Sequence, residues 1–249
     1  MQGQLASLMH LLSPDERERV NKFHFETDRQ RCILARGAAR LLLGHCLGKS
    51  ATQVQFEYNE FGKPILAGGL HPSVQFNLSH SGDLVLIALS RGRALGVDIE
   101  RVRMDVAANE IAARFFSADE CRALASVAPS ARCAAFFDCW TRKEAYLKAR
   151  GDGLSLPLAQ FDVSFLPGEQ PRLLAARHDP TDVHRWTLHA LNGGEGYKAA
   201  LAVEGGNWKL RCWDWPAAPA SIKADDDSEV PTLQELLTGS NGLFISANA

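Results

Sequence analysis

Residues 11–16 read LLSPDE, and residues 115–120 read FFSADE. Each stretch has a serine followed three residues later by a glutamate, the capping-box pattern that begins a helix. A second pair of stretches recurs further along, GKSATQVQFEY at 48–58 and GLSLPLAQFDV at 153–163. The first pair is offset by 104 residues (115 − 11) and the second by 105 (153 − 48). Two separated matches at almost the same offset indicate an internal duplication.

Each half has the same predicted order: a capped helix, a longer helix and then strands. The predicted helices are at about 13–23, 28–47, 117–127 and 130–149. The predicted strands are at about 53–58, 74–79, 84–90 and 95–100, and at about 159–165, 184–190, 197–203 and 209–214. The sequence therefore predicts an α+β fold of two similar α/β halves, related by pseudo-twofold symmetry, with a ligand site at their interface.

The predicted domains are an N-terminal α+β half at 1–104, a C-terminal α+β half at 105–215 and a linker-like tail at 216–249. The tail begins with PAAPASIKADDDSE, which is rich in Pro, Ala, Ser and acidic residues and has little to bury. The stretch VPTLQELLTG at 230–239 predicts one short helix. The sequence assigns the tail no role.

The bulk properties exclude several classes of protein. The net charge is −2 and the pI is near 6.4, which does not favour a nucleic-acid partner. No apolar run is long enough to span a membrane, and the N-terminus lacks the basic region of a signal peptide. The six cysteines contain no CxxC pair and no metal-ligand spacing, as expected of reduced thiols. These features predict a cytoplasmic protein without a nucleic-acid or membrane partner.

An acidic residue stands where a core residue is expected in CWTRKEAYLKA, residues 139–149. Phe137, Trp140 and Leu147 recur at the spacing of a buried helix face, and Glu144 falls on the same stripe. An unpaired buried charge costs several kcal/mol or forces the group to become neutral. Glu144 is therefore expected to meet a cation, a metal ion or a solvent-filled cleft.

Two more carboxylates occur in GVDIE, residues 96–100. Because strand side chains alternate, Asp98 and Glu100 share one face of the predicted strand. Such a pair is stable at the surface, opposite cations, or around a hard metal ion. A site formed with Glu144 across the interface would explain all three residues, and oxygen ligands of this kind suit Mg²⁺ bound to a phosphate or pyrophosphate.

Basic and hydroxyl residues accompany these carboxylates. Lys143 and Lys148 flank Glu144, although Lys148 at i+4 also fits an ordinary ion pair on the helix surface. The other candidates are Lys63 in FGKP at 61–64, Ser79 and His80 in FNLSHSG at 76–82, and Arg19, Lys22, Arg29 and Arg31 near the first-half helices. For each, a solvated or structural role is the alternative to a ligand contact.

Five motifs resemble those of a known family, in its chain order. FGKP, FNLSHSG, GVDIE, RFFSADE and CWTRKEAYLKARGDGLS are similar to motifs of the 4′-phosphopantetheinyl transferases of the Sfp type, over about Ser13 to Phe165. The resemblance implies an enzyme that moves the phosphopantetheine arm of coenzyme A onto a serine of a carrier protein and releases adenosine 3′,5′-bisphosphate. It also implies two similar α+β halves with the active site between them.

The resemblance assigns roles by position. The implied Mg²⁺ ligands are Asp98, Glu100 and Glu144, and the implied catalytic residues are Glu144, Lys148 and Asp98, with Lys148 on the pyrophosphate. The other implied coenzyme A contacts are Lys143 in the cofactor site, Ser79 and His80 on the 3′-phosphate, Gly62, Lys63 and Pro64 on the adenine side, and Arg19 and Arg31 as basic contacts to the 3′-phosphate.

Some questions stay open at this level. Either Glu144 or a metal-bound water could take the serine proton. Glu120 matches an acidic position of the family, and its capping-box role is the alternative. The family has a strand before the first capped helix, but only twelve residues precede Ser13, so the strand is absent or the start is truncated. One basic position expected near Glu16 is acidic here, which leaves more of the 3′-phosphate binding to Arg19 and His80.

The implied partners are coenzyme A and an apo acyl carrier protein or peptidyl carrier domain, which is acidic and helical. Fatty-acid, polyketide and nonribosomal-peptide carriers all remain open, with a broad enzyme of secondary metabolism favoured and a monomer expected. Two alternatives remain: a coenzyme-A-binding module without turnover, and another Mg²⁺-dependent phosphate-ester enzyme such as a phosphatase.

Overall fold

Both predicted halves contain a short capped helix followed by a helix of 22 residues. The computed structural model describes residues 2–67, 74–213 and 242–247. The helices are α1 (Gln2–Leu11), α2 (Pro14–Asn21), α3 (Glu26–Leu47), α4 (Ala108–Phe115), α5 (Ala118–Ser126), α6 (Pro129–Arg150) and α7 (Asp182–Arg185). The strands are β1 (Phe56–Tyr58), β2 (Pro64–Leu66), β3 (Val74–Ser81), β4 (Leu84–Arg91), β5 (Leu95–Arg101), β6 (Phe161–Val163), β7 (Leu173–Ala176), β8 (Trp186–Leu191), β9 (Tyr197–Glu204), β10 (Lys209–Trp213) and β11 (Gly242–Ala247).

The mixed α and β content confirms the predicted class, and the order of elements repeats. A capped helix, a long helix and two successive hairpins form α2, α3, β1–β2 and β3–β4, and the same series recurs as α5, α6, β6–β7 and β8–β9. Each long helix ends at a glycine in the left-handed conformation, with φ of 61° at Gly48 and 81° at Gly151. Such a residue ends a helix without steric cost because glycine has no Cβ.

The chain forms two compact units. The first comprises the described residues up to 57, from 65 to 92 and from 208 onward. Its sheet has the order β10-β11-β4-β3, with β10 parallel to β11 and the other pairs antiparallel. Helix α3 covers this unit's core, where Leu43, Phe76 and Leu89 are buried. No helix within the described part of the chain is long and apolar enough to cross a lipid bilayer.

The second unit comprises residues 58–64 and 93–207. Its antiparallel sheet has the order β5-β9-β8. Helix α6 packs against this sheet, and Tyr146, Leu147, Leu188 and Ala200 are part of the shared core. The sheet and α6 together carry all three residues predicted above for the metal site, Asp98, Glu100 and Glu144.

Strand pairing differs from the prediction in three places. Strand β5 was expected to end the first half, but it pairs with β9 in the second unit. Strand β10 was expected in the second half, but it joins the sheet of the first unit. The tail was expected to be linker-like, yet 242–247 forms β11 between β10 and β4, while the expected helix at 230–239 lies outside the described residues. Hydrophobic alternation indicates a strand but does not identify its partner.

The duplication extends to a buried ion pair in each unit. Both capping boxes form as predicted: the Ser13 backbone N–H donates to Glu16 Oε2 at 3.1 Å, and the Ser117 N–H donates to Glu120 Oε2 at 3.0 Å. Glu16 is 1% exposed and Glu120 is 3% exposed. Each also meets a cation from the long helix, at 2.6 Å from Arg40 and 2.8 Å from Lys143. We call Glu16–Arg40 and Glu120–Lys143 the cap pairs.

The two cap pairs have similar surroundings, although Glu16 also pairs with Arg36 at 3.2 Å. Arg40 is residue 15 of α3 (40 − 26 + 1) and Lys143 is residue 15 of α6 (143 − 129 + 1). Arg40 donates to the Val54 carbonyl at 2.6 Å, and Lys143 donates to the Leu158 carbonyl at 2.9 Å. Each cation also faces a phenylalanine of the repeat, Phe56 at 5.1 Å and Phe161 at 4.2 Å. Each unit therefore fastens its short capped helix to its long helix in the same way.

Candidate active site

Strand β5 lies directly against helix α6 because its second residue is a glycine. A Cβ atom added to Gly96 would be 2.6 Å from the carbonyl carbon of Lys148, and closer still to Ala145 O and Ala149 N. Only a residue without a side chain permits this approach of two backbones. Gly96, Asp98 and Glu100 share one strand face. The face that touches α6 is therefore the face that carries the two carboxylates.

Asp98 and Lys148 form an ion pair at this contact. The Lys148 Nζ is 2.6 Å from Asp98 Oδ1. Asp98 is 3% exposed, whereas the Lys148 side chain is 30% exposed. The ammonium thus neutralises a carboxylate that lies beneath it while keeping a path to solvent, which suits a residue that also contacts a charged ligand.

Glu144 lies close enough to both strand carboxylates to be affected by their charges. Burial raises the pKa of Glu144, and the negative charges of Asp98 and Glu100 raise it further, while Lys148 acts in the opposite direction. The charges of Asp98 and Glu100 therefore reach Glu144, and Lys148 offsets part of their effect on its pKa. This explains the acidic residue in the apolar stripe of α6: it faces the acidic side of β5.

The chemistry of these donors fits Mg²⁺, which prefers carboxylate oxygens and completes its shell with water and substrate phosphates. Within the described ranges, no group of three or more His, Cys, Asp or Glu residues is already arranged to hold a metal ion. The carboxylates are thus near one another but not preformed into a cage. A divalent cation would relieve the mutual repulsion that raises the pKa of Glu144.

Lys143 has a different environment from the one expected of a cofactor contact. It is 0% exposed, and its Nζ donates to the carbonyls of Leu158 and Phe161 as well as to Glu120. Glu120 in turn accepts the backbone N–H of Val163 at 2.9 Å. The buried ammonium has no route to a ligand in this arrangement. For Glu120, the structure shows the capping role and its pair with Lys143.

The FGKP turn reaches the end of α6. The Lys63 Nζ donates to three carbonyls, Lys148 O at 2.6 Å, Leu95 O at 3.1 Å and Ala149 O at 3.3 Å. Burial lowers the pKa of Lys63 to about 8. Gly62 has φ of 81°, which its turn position requires, and Pro64 begins β2.

The other predicted contacts lie in the first unit. Ser79 and His80 are near the end of β3, where Ser79 is buried and His80 is exposed. Arg19 is exposed on α2. Arg31, on α3, is 3.3 Å from Asp28 in an ion pair. These four residues belong to a different compact unit from the three carboxylates and Lys148.

Sequence reasoning overlooked a cluster that holds the end of α6. Asp182, which is fully buried, accepts from Tyr146, Arg150 and Trp186, with Trp186 Nε1 at 3.0 Å. No spacing in the sequence points to this cluster, because its members come from α6, α7 and β8. Gly96 was overlooked too, although a glycine within a strand is a known sign of close backbone approach.

Comparison with known proteins decides the family. A profile described as "4'-phosphopantetheinyl transferase superfamily" matches residues 94–202, and one described as "4'-phosphopantetheinyl transferase, N-terminal" matches residues 1–91. The 4'-phosphopantetheinyl transferase HetI of Nostoc sp. is 37% identical over 215 residues, 86% of this chain and 87% of HetI. The chain belongs to the 4′-phosphopantetheinyl transferase superfamily. The family resemblance predicted from the motifs is thereby confirmed, and the protein is a transferase.

Other relatives of this phosphopantetheinyl transferase cover similar shares of it. Sfp of Bacillus subtilis (strain 168) is 30% identical over 196 residues, 78% of this chain and 83% of Sfp. The transferase psf-1 of Bacillus pumilus is 34% identical over 187 residues, 74% of this chain and 78% of psf-1. A solved structure, the holo-[acyl-carrier-protein] synthase of Thermotoga maritima, overlaps 46% of this chain and 64% of its own with a TM-score of 0.37 and 20% identity.

Proposed function

We propose that this phosphopantetheinyl transferase uses coenzyme A and Mg²⁺ to modify a serine of an apo acyl carrier protein or peptidyl carrier domain, releasing adenosine 3′,5′-bisphosphate. The observation that carries the proposal is the ion pair of buried Asp98 with partly exposed Lys148, whose charges both act on Glu144. Relatives named 4'-phosphopantetheinyl transferase that cover most of the chain support the reaction class. The carboxylate set supports the metal requirement.

Asp98, Glu100 and Glu144 would hold Mg²⁺ in this proposal. Bound there, the metal would neutralise charge on the pyrophosphate of coenzyme A as that charge develops. Lys148 pairs with Asp98 at 2.6 Å in the absence of ligand, and its partly exposed ammonium would also contact the pyrophosphate. Either Glu144 or a water in the site would take the proton of the attacking serine. Burial, and then the charges of Asp98 and Glu100, raise the pKa of Glu144.

The remaining coenzyme A contacts are proposed from the resemblance. Ser79, His80, Arg19 and Arg31 would bind the 3′-phosphate, and Gly62 and Pro64 would line the adenine side. Lys143 is left out of the proposed site because it is fully buried within a cap pair. The pseudo-twofold symmetry, the interfacial position of the site and the domain boundary at 104 stay predictions from the sequence.

The proposed partner is an acidic carrier domain of secondary metabolism, which the Sfp-type resemblance favours. A polyketide or nonribosomal-peptide carrier fits this expectation, and a fatty-acid carrier stays open. The proposed setting is the cytoplasm, where coenzyme A and apo carrier proteins meet, and the proposed form is a monomer.

Intact-mass spectrometry of an apo acyl carrier protein tests the proposal. The carrier is incubated with the transferase, coenzyme A and Mg²⁺, with EDTA and Glu144→Ala as controls. We expect the carrier to gain the mass of one phosphopantetheine, and we expect both controls to abolish the gain. Bound coenzyme A without a gain on several carriers would favour a coenzyme-A-binding module instead. Release of phosphate without a carrier would favour a phosphatase.

A further inference from the structure

The Lys63 ammonium joins the two elements that carry the proposed metal ligands. Two of its three hydrogen bonds go to the end of α6, to Lys148 O at 2.6 Å and Ala149 O at 3.3 Å. The third goes to Leu95 O at 3.1 Å, at the first residue of β5. A lysine ammonium has three donor hydrogens, so the three carbonyls account for its full capacity.

Two of these carbonyls, Lys148 O and Ala149 O, need a donor from outside their helix. Helix α6 ends at Arg150, and the last four carbonyls of a helix have no partner within it. A cation at a helix C-terminus also interacts favourably with the helix dipole. The ammonium therefore stabilises the last turn of α6, the turn from which Lys148 reaches Asp98.

The contact at Gly96 makes the position of β5 critical. Gly96 lies one residue after Leu95 and two before Asp98, and its backbone touches α6 at Ala145 and Lys148. Strand and helix backbones are thus in direct contact between the point that Lys63 holds and the carboxylate. A shift of β5 along or away from α6 would change the separation of Asp98 from Glu144.

The turn that presents Lys63 is itself fastened to the helix end. Asn59 Oδ1 accepts the backbone N–H groups of Phe61 at 3.0 Å and Lys63 at 2.8 Å. The other side of the same amide donates to Gly151 O at 2.8 Å, just beyond α6. Asn59 therefore stabilises the turn and binds it to the end of α6. These contacts fix the direction of the Lys63 side chain.

We propose that Lys63 is a positioning residue, which acts by joining the end of α6 to the start of β5 and so sets the spacing of Asp98 and Glu144 for a divalent cation. This inference rests on the proposed function, because it concerns the same metal site. It differs from the role that the resemblance implies, in which Lys63 belongs to the adenine side of the coenzyme A site. Its ammonium is already used by three backbone carbonyls.

The test compares Lys63→Met with a matched control, Arg132→Met. Arg132 is also a basic residue bonded to backbone carbonyls, Ala125 O at 3.1 Å and Val127 O at 3.0 Å, within the second unit. It lies on α6 twelve residues before Glu144 (144 − 132), or about 18 Å along the helix axis. Lys63→Arg is included because it retains the charge and several donors.

Three quantities are measured for each protein. The first is the affinity for Mn²⁺, used as the probe for the divalent site and followed by electron paramagnetic resonance with and without coenzyme A. The second is the affinity for adenosine 3′,5′-bisphosphate in EDTA, which reports on the adenine and 3′-phosphate contacts without the metal. The third is the melting temperature, which reports on stability alone.

We expect Lys63→Met to weaken Mn²⁺ binding by on the order of tenfold, a usual effect of removing a group that orients metal ligands. Lys63→Arg should recover part of that affinity. Arg132→Met should lower the melting temperature but keep the affinity for Mn²⁺, and none of the variants should change the binding of adenosine 3′,5′-bisphosphate.

Equal Mn²⁺ affinity in Lys63→Met and the wild type would overturn the inference. So would a loss in Lys63→Met confined to adenosine 3′,5′-bisphosphate, because that result would make the ammonium an adenine-side contact. Failure of the wild type to bind Mn²⁺, even with coenzyme A, would overturn the proposed metal site and this inference with it. The wild-type result thus separates failure of the proposed function from failure of the role given to Lys63.

Discussion

At the scale of single residues, the electrostatic environment of Glu144 depends on the absence of a side chain at Gly96. Glu144 replaces an apolar residue on α6, and the negative charges of Asp98 and Glu100 help to raise its pKa. These charges come near only because β5 has no side chain at Gly96, where it meets the helix backbone. The motif GVDIE therefore combines a close contact with two proposed metal-ligand positions in five residues.

Gly96→Ala is expected to separate β5 from α6. The added methyl would overlap backbone atoms that cannot rotate away, so both stability and the spacing of the carboxylates should suffer. We expect a loss of about 1–3 kcal/mol in the free energy of unfolding, as for other overpacked sites. Urea unfolding measures the loss, and Mn²⁺ titration measures the effect on the site.

Gly206→Ala provides the control for this change. A Cβ at Gly206 would have no heavy atom within 4 Å, and the residue lies in the same unit. It should leave both stability and Mn²⁺ affinity near the wild-type values. If Gly96→Ala behaved like Gly206→Ala, the close contact would have no bearing on the site.

At the scale of elements, each long helix is fixed by a cap pair at its fifteenth residue. The carboxylate closes the capping box of the short helix, and the cation also meets carbonyls of the following segment. In each unit, one ion pair thus joins the short capped helix, the long helix and the segment that follows the long helix. Its repetition in both units is further support for the duplication first seen in LLSPDE and FFSADE.

Lys143→Met tests the cap pair against the cofactor role that the resemblance implied. The substitution leaves the Glu120 carboxylate buried without its cation, which should cost about 3–5 kcal/mol of stability. Glu120→Gln in the same protein should restore part of the loss, because the neutral amide needs no counter-charge. A double-mutant cycle in urea gives the coupling energy.

A different outcome for Lys143→Met would contradict its role in the cap pair. Lys143→Met with wild-type stability but weakened binding of adenosine 3′,5′-bisphosphate would return Lys143 to the cofactor site. Arg40→Met, the corresponding change in the first unit, serves for comparison. It should cost less stability, because Glu16 keeps a second ion pair with Arg36 at 3.2 Å.

At the scale of the whole molecule, the chain crosses between its compact units more often than a simple duplication requires. Strand β5 follows β4 in sequence but pairs with β9, and β10 follows β9 but pairs with β11. The last described segment, β11, then lies between β10 and β4. Residues 242–247 are therefore part of the first unit's sheet.

Removal of all residues after Trp213 should destabilise the first unit. It deletes β11 and leaves the backbone groups of β4 that paired with it at an open sheet edge. We expect a lower melting temperature and faster amide hydrogen exchange in β4, whereas removal of residues 248–249 alone should change neither. An unchanged melting temperature in the longer deletion would show that β11 is dispensable.

The sequence alone predicted the family and much of the local structure, although it missed α1, α4, β2 and β7. Capping boxes, helix stripes and strand alternation depend on neighbouring residues, so the helices 14–21, 26–47, 118–126 and 129–150 were found within a few residues of their ends. The motif order pointed to the phosphopantetheinyl transferases because the residues of each motif are contiguous in sequence. Glu144 stood out for the same reason, as an acid within an apolar stripe.

Only the tertiary structure decided which strands pair and what each buried ion contacts. Pairing of β5 with β9 depends on hydrogen bonds between residues such as Asp98 and Ala200, which are about a hundred positions apart in the chain. Lys143 and Lys148 look alike on the helix, yet packing buries one against Glu120 and leaves the other partly exposed on Asp98. Lys63 was visible as a charge in a turn, but its role as a link between α6 and β5 depends on three carbonyls whose position no sequence pattern records.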